Sequence, residues 1–140
     1  MSQSNRLLKL VKATSKFPKG IRSTLWSKAF GRIVPMVGTA NIRYLEVDSN
    51  HVTVRLDNQK NMQNHIKGVH AAAMALLAET ATGFLTGLHI PDNRILLIKS
   101  LHVDYLKVVE GGLTATATLS AEQQKFIADN EKGELVIPVL

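Results

Sequence analysis

A single carboxylate, Glu79, stands in an otherwise uncharged stretch that runs from Gly68 to Leu88. From His70 to Leu85 its neighbours are Ala, Met, Leu and Phe with small Thr and Gly between them, which predicts a helix apolar on nearly every side. Burial disfavours the charged form of an acid, so the Glu79 pKa is expected to rise from a reference of about 4.3. Carboxylates perturbed in this way gather at functional sites, which makes Glu79 a candidate functional residue. The plainer reading is a buried acid bonded to a helix or partner group, without catalysis. His70, at the helix entrance, reads by itself as a capping or core histidine. His51, His65, His89 and His102 form no His-x-x-x-His pair and the chain has no cysteine, so no metal site is expected.

A helix apolar on every face has to be wrapped by protein or by lipid. Lipid is disfavoured: the run is short for a bilayer span of about 20 residues, carries Glu79 near its middle, and is weakened by Gly83 and Gly87. The helix is therefore expected at the centre of a soluble fold, and no membrane span is expected. At 140 residues the chain is long enough for one domain with a proper core. The absence of cysteine excludes disulfides and a cysteine nucleophile, and suits a reducing cytoplasm.

Around that helix the pattern alternates. Residues 5–12 and 21–30 read as two short N-terminal helices, closed by Pro18 and Gly20 and then by Gly31 and Pro35. Ala40 to Val47 and His51 to Leu56, joined at Asp48-Ser49-Asn50, read as a hairpin. Asn58 to Lys67 is polar and reads as a loop. After the central helix, Arg94 to Val109 is a long strand candidate, and across Gly111-Gly112 it pairs in expectation with Leu113 to Leu119 as a second hairpin. Ser120 and Gln123 form a capping-box pattern ahead of a short helix, Ala121 to Ala128, and Gly133 to Leu140 starts another strand. The order predicts an α+β fold in which a curved antiparallel sheet encloses one helix.

Charge divides the chain differently. Nine basic residues from Arg6 to Arg43 precede the first acid, Glu46, whereas residues 46–140 hold eight basic and eleven acidic side chains. The chain thus divides into a basic helical segment, 1–37, and the remainder, 38–140, within a single domain. Four readings of the basic segment stay open: a solvated face of two helices, attraction of a phosphate-rich ligand, contact with an anionic membrane or nucleic acid, and a cleaved transit peptide. The basic residues are not interleaved with aromatics and match no nucleic-acid motif, so a nucleic-acid partner is not expected. No phosphate-binding glycine loop is present either.

The spacing Asn64, five residues, His70, eight residues, Glu79, with Gly68 two before the histidine, resembles the hotdog-fold acyl-CoA thioesterase superfamily. Within it, the likeness is to the phenylacetic-acid-degradation type and its uncharacterised relatives, and with the element order it spans about Gly38 to Leu140. It implies that Glu79 activates water or attacks the thioester carbonyl. The backbone N–H of Ala71 would hold the oxyanion, Asn64 would orient the water or Glu79, and His70 would shape the helix entrance. Gly68, Lys67, Lys99 and Ser100 are the implied substrate contacts, with Arg94 and Lys60 flanking the proposed site. The family usually carries Gly-Gly after the histidine where this chain has Ala71-Ala72, and some relatives carry Ser where it has Ile98.

The resemblance further implies a homodimer or dimer of dimers, because acid and oxyanion donor come from opposite subunits. CoA would enter as part of the substrate, with no separate cofactor and no metal. The expected function is hydrolysis of an acyl-CoA or acyl-carrier thioester in the cytoplasm, the alternative a non-catalytic acyl or acyl-CoA binding protein on the same fold. The six-stranded version of that fold needs one more strand after Leu140, so the last strand is expected to be missing from this sequence.

Overall fold

Alternation in residues 51–56 sets the centre of the sheet. In the computed structural model, which describes residues 4–140, Val52, Val54 and Leu56 are fully buried while His51, Thr53 and Arg55 on the other face are half-buried. This strand, β2 (His51–Leu56), pairs antiparallel with β1 (Arg43–Val47) on one side and with β3 (Leu113–Thr118) on the other. The β1–β2 turn is the expected one: an Asp48 carboxylate oxygen accepts from the Asn50 N–H at 3.0 Å, and the Asp48 N–H donates to the His51 carbonyl. Along the β2–β3 ladder Thr53 and Thr116 share a hydroxyl hydrogen bond of 2.8 Å on the outer face, while Ala115 and Ala117 are buried on the inner one.

The central helix α4 (Ala71–Gly87) crosses the inner face of β2 and β3. Ala73, Leu77, Ala81 and Leu85 recur at helical spacing and are all buried. Its threonines enter this apolar setting by satisfying themselves: Thr80, Thr82 and Thr86 each donate to the carbonyl four residues earlier. Phe84 closes one edge in an aromatic cluster with Phe30 and Tyr44, ring centroids 4.5 to 4.9 Å apart.

The N-terminal helices are α1 (Arg6–Thr14), α2 (Lys19–Ile33) and a single-turn α3 (Pro35–Thr39). The Asn5 amide ties α1 to the fold. Its oxygen caps the Leu8 N–H at 2.7 Å, and its nitrogen donates to the carbonyls of Gly87 and Ile90 at the end of α4. Trp26 of α2, buried, donates its indole N–H to Thr14 at 2.8 Å. One expectation is corrected here and another is extended. Gly31 lies inside α2 rather than ending it, because α2 and α3 meet there so closely that a Cβ on Gly38 would collide with the Gly31 carbonyl. Pro35 follows the end of α2 at Ile33, as expected, and also starts the next helix, the first helical position being where its missing N–H costs nothing.

After α4 the expected second hairpin is absent. Leu113 to Thr118 pairs with β2, from Leu56↔Leu113 to His51↔Thr118. Gly112 feeds it there: a Cβ on Gly112 would lie 2.8 Å from the Leu56 carbonyl, so the chain presses against the end of β2 and continues beside it. Residues 95–110 remain extended without a ladder, and Ile95, Leu97 and Leu106 are 85%, 80% and 86% exposed. The run is held at a few points. Arg94 donates to the carbonyls of Ile127 and Asn130, and Tyr105 donates its hydroxyl to the Ala71 carbonyl at 2.9 Å.

The short helix α5 (Ala121–Asp129) carries the reciprocal Ser120–Gln123 capping box. The segment that follows returns to the outer edge of β3, where the Thr116 N–H donates to the Leu140 carbonyl and the Leu140 N–H to the Thr116 carbonyl. The fold is α+β, a helix laid on an antiparallel sheet, as expected. Enclosure of α4 is partial, however: Ala71 and Ala72 are exposed, and Ala75, Leu76 and Glu79 half-exposed, because the three strands cover only one of its faces.

Candidate active site

Helix α4 begins at His70, whose extended backbone turns the chain into the helix. The His70 Nδ1 accepts from the Ala72 N–H at 3.0 Å, and the His70 carbonyl accepts from the N–H groups of Ala73 and Met74. An accepting Nδ1 puts the proton of the neutral ring on Nε2. The Ala71 N–H is left with no acceptor among the described residues, at the helix end where the peptide dipoles favour negative charge.

The loop before it is wound around Asn64. Its side-chain oxygen accepts from the N–H groups of Ile66 and Gly68, both at 3.0 Å, which commits that oxygen to the loop and leaves the amide nitrogen as the group available for other work. Lys67 takes a left-handed conformation, φ 63°, to close the turn. Gly68 is needed for space, since a Cβ there would lie 2.8 Å from the Val109 carbonyl.

Two helical turns further on, Glu79 opens into a groove of about 410 Å³ between α4, the α3 residue Met36 and the extended run Ile98 to Leu101. Ala72, Ala75 and Leu76 form the helix side of the groove, Lys99 and Ser100 the opposite one. Among the described residues no side chain donates to the Glu79 carboxylate and no cation lies within 4.0 Å of it. A Cβ on Gly83 would lie 3.4 Å from Glu79 Oε1, so the glycine gives the carboxylate room to fold back along its own helix. Burial first, and the Glu79 charge second, push the Tyr44 hydroxyl above its ordinary value. Tyr44 therefore stays a neutral hydroxyl beneath the acid.

The sequence-derived residues fall into two groups. Asn64, Lys67, Gly68, His70 and Ala71 gather at the start of α4, while Glu79, Lys99 and Ser100 line the groove, with Lys99 held by Glu134 at 2.6 Å. Of the flanking cations, Arg94 is used by the end of α5. Glu79 follows Ala71 by eight residues, a rise of about 12 Å along the helix. Within one copy, the acid and the free N–H therefore stand more than two helical turns apart. Met36 and Tyr44 were not singled out from the sequence, and Gly83 only as a residue that weakens the helix. Gly83 is one turn beyond Glu79 and was legible as such, whereas nothing in the spacing connects Met36 or Tyr44 to the acid. Among the described residues no three His, Asp or Glu side chains gather as a metal site.

A long helix laid on an antiparallel sheet is the hotdog fold, which this chain shares with several solved structures. A structural-genomics protein aligns over 95% of this chain and 84% of its own, with a TM-score of 0.70 and 23% identity. A Pseudomonas aeruginosa protein of unknown function, described as a probable thioesterase, aligns over 76% of this chain and 71% of its own, with a TM-score of 0.66 and 20% identity. The PaaI protein of the E. coli phenylacetic acid degradation operon aligns over 72% of each chain, with a TM-score of 0.56 and 17% identity. A comparison with curated proteins finds no match. The chain belongs to the family described as a domain of unknown function, DUF4442, which matches residues 22–140.

Proposed function

We propose that the protein hydrolyses an acyl-CoA or acyl-carrier thioester, in a site completed by two copies of the chain. The observation that carries this reading is a carboxylate in an apolar groove on the same helix as a backbone N–H, about 12 Å away by helical rise, neither with a partner among the described residues. Antiparallel association of two such helices would bring the Glu79 of one copy to the Ala71 of the other. Glu79 takes a proton from water as the water oxygen attacks the thioester carbonyl carbon. The oxyanion that forms accepts a hydrogen bond from the Ala71 N–H. Collapse of the intermediate breaks the C–S bond, Glu79 returns the proton to the departing thiolate, and a carboxylic acid and a thiol leave.

In this reading the Asn64 amide nitrogen orients the water, and His70 and Gly68 hold the helix entrance in shape. Ser100 meets the acyl part, and Lys67 and Lys99 meet the carrier phosphates. A general base contributes about 10²–10⁴-fold and an oxyanion donor about 10²–10³-fold, so hydrolysis on this scale needs no metal. The compartment that fits is the cytoplasm, where CoA thioesters would be met by a cysteine-free chain.

The second reading, a binding protein for acyl groups or acyl-CoA, is favoured by the exposed methyl groups of Ala71 and Ala72 at the helix entrance. Thiol release from short, medium, long and aryl acyl-CoAs separates the two. The chain has no cysteine, so a thiol reagent sees only released CoA. The enzyme reading expects turnover that falls at least about 10²-fold in Glu79→Gln with folding retained. Ligand-dependent melting without turnover on any substrate would replace it with the binding reading.

A further inference from the structure

The α2 helix has two faces of different use. Trp26 and Phe30 are buried, and on the opposite side Ile21, Thr24, Leu25, Lys28 and Arg32 follow one another at helical spacing, all exposed. Ile21 and Leu25 are 50% and 42% exposed, and together with Pro18 they line a shallow depression of about 440 Å³. Phe17, just before the helix, is also exposed. Bulky apolar side chains at the outer end of a stripe, with Lys28 and Arg32 further along it, need an occupant that is both apolar and acidic.

Among the described residues, Lys12, Lys16, Lys19, Arg22, Lys28 and Arg32 have no carboxylate within 4.0 Å, and no acid occurs before Glu46. Ile21 and Leu25 stand side by side at the tip of this basic face, and a phosphate backbone of nucleic acid offers nothing for them to enter. An acidic headgroup layer over hydrocarbon offers both at once. No helix among the described residues is long and apolar enough to cross a membrane, so contact of this kind is peripheral.

We infer that the Pro18–Arg32 face of α2 docks on an anionic lipid surface, Ile21 and Leu25 entering the headgroup region and Lys28 and Arg32 holding acidic headgroups. This interaction is independent of the thioesterase reading. Co-sedimentation of the full chain with phosphatidylcholine vesicles, with and without phosphatidylglycerol, tests it. Binding is expected only to the vesicles containing phosphatidylglycerol, weakening as salt rises. Both Lys28→Glu/Arg32→Glu and Ile21→Ser/Leu25→Ser should weaken it at least about tenfold. Thermal melting verifies that each pair folds, and Leu25→Ser alone replaces the apolar pair if it does not. Absence of binding to the acidic vesicles would overturn the inference. So would loss on charge reversal alone, with the serine pair indifferent and duplex DNA bound equally well, which would mark a plain cationic surface. Capture of an acidic protein while vesicles are ignored would also overturn it, in favour of a protein partner.

Discussion

The two sides of α4 are built from similar residues and end in different states. On the sheet side, Leu77 and Val54 are 1% and 0% exposed, and each β2 residue faces a partner in β3. On the other, the extended run 95–110 carries the same kinds of side chain, yet Leu97 and Leu106 are 80% and 86% exposed and no ladder holds them. The contrast shows that alternation and apolarity qualify a segment for burial, and the neighbour that covers it decides whether burial occurs. Glu79 stands on the boundary between the two sides. It is reachable because the second side is open.

The sharpest way to break the comparison is to truncate one leucine from each side. Leu77→Ala should cost about 2–5 kcal/mol in urea unfolding, through lost transfer energy and the cavity left behind. Leu97→Ala should change stability by less than about 0.5 kcal/mol when the chain is monomeric. If both cost the same at low protein concentration, the open side is not open. Gly68→Ala probes where the run is fastened, since its Cβ would lie 2.8 Å from the Val109 carbonyl. A loss of about 1–3 kcal/mol, with faster proteolysis within residues 95–110, is expected. Unchanged proteolysis would show that the run is held elsewhere. Between the N-terminal helices, Thr14→Val removes the acceptor of the Trp26 indole and should cost about 1–3 kcal/mol.

The smallest effect concerns Asp57, at the end of β2. Partial desolvation works to raise its carboxyl, but hydrogen bonds and charge from Arg55 and Arg43 outweigh it and hold it below the usual 3.8. The unfolded chain then binds more protons just below that value, so stability is present above it and lost as pH falls through the folded-state pKa. Asp57→Asn should flatten the acid limb of the melting temperature against pH. At neutral pH the pair is exposed, and its loss should cost less than about 1 kcal/mol.

Much of this fold is legible in the sequence, for local reasons. The β1–β2 hairpin announces itself through Val52, Val54 and Leu56 and the Asp48-Ser49-Asn50 turn, the α5 start through Ser120 and Gln123, and α4 with its lone acid through composition. What escapes is every decision made at long range. Leu113 to Leu119 shows which face is buried, yet not that its neighbour is β2 rather than the run before it; the tight passage of Gly112 against Leu56 decides that. Gly31 looks like a helix stop until Gly38 arrives against it. The helix-start group is readable from the Asn64, His70, Glu79 spacing, but Met36 and Tyr44 reach the acid only through folding.

The claim at the centre of this account is that Glu79 and the Ala71 N–H serve one thioester from different copies. Two variants put it to the test. Glu79→Gln removes the base, and Ala71→Pro removes the N–H at a first helical position, where proline is tolerated and the preceding His70 already has an extended conformation. Each alone should lose at least about 10²-fold in thiol release. Unfolded together and refolded in equal amounts, they should recover about a quarter of the original activity, because half of the dimers would pair unlike chains and each of those holds one intact site. Two inactive variants that stay inactive when mixed would contradict a shared site, and full activity in Ala71→Pro alone would remove that N–H from the chemistry.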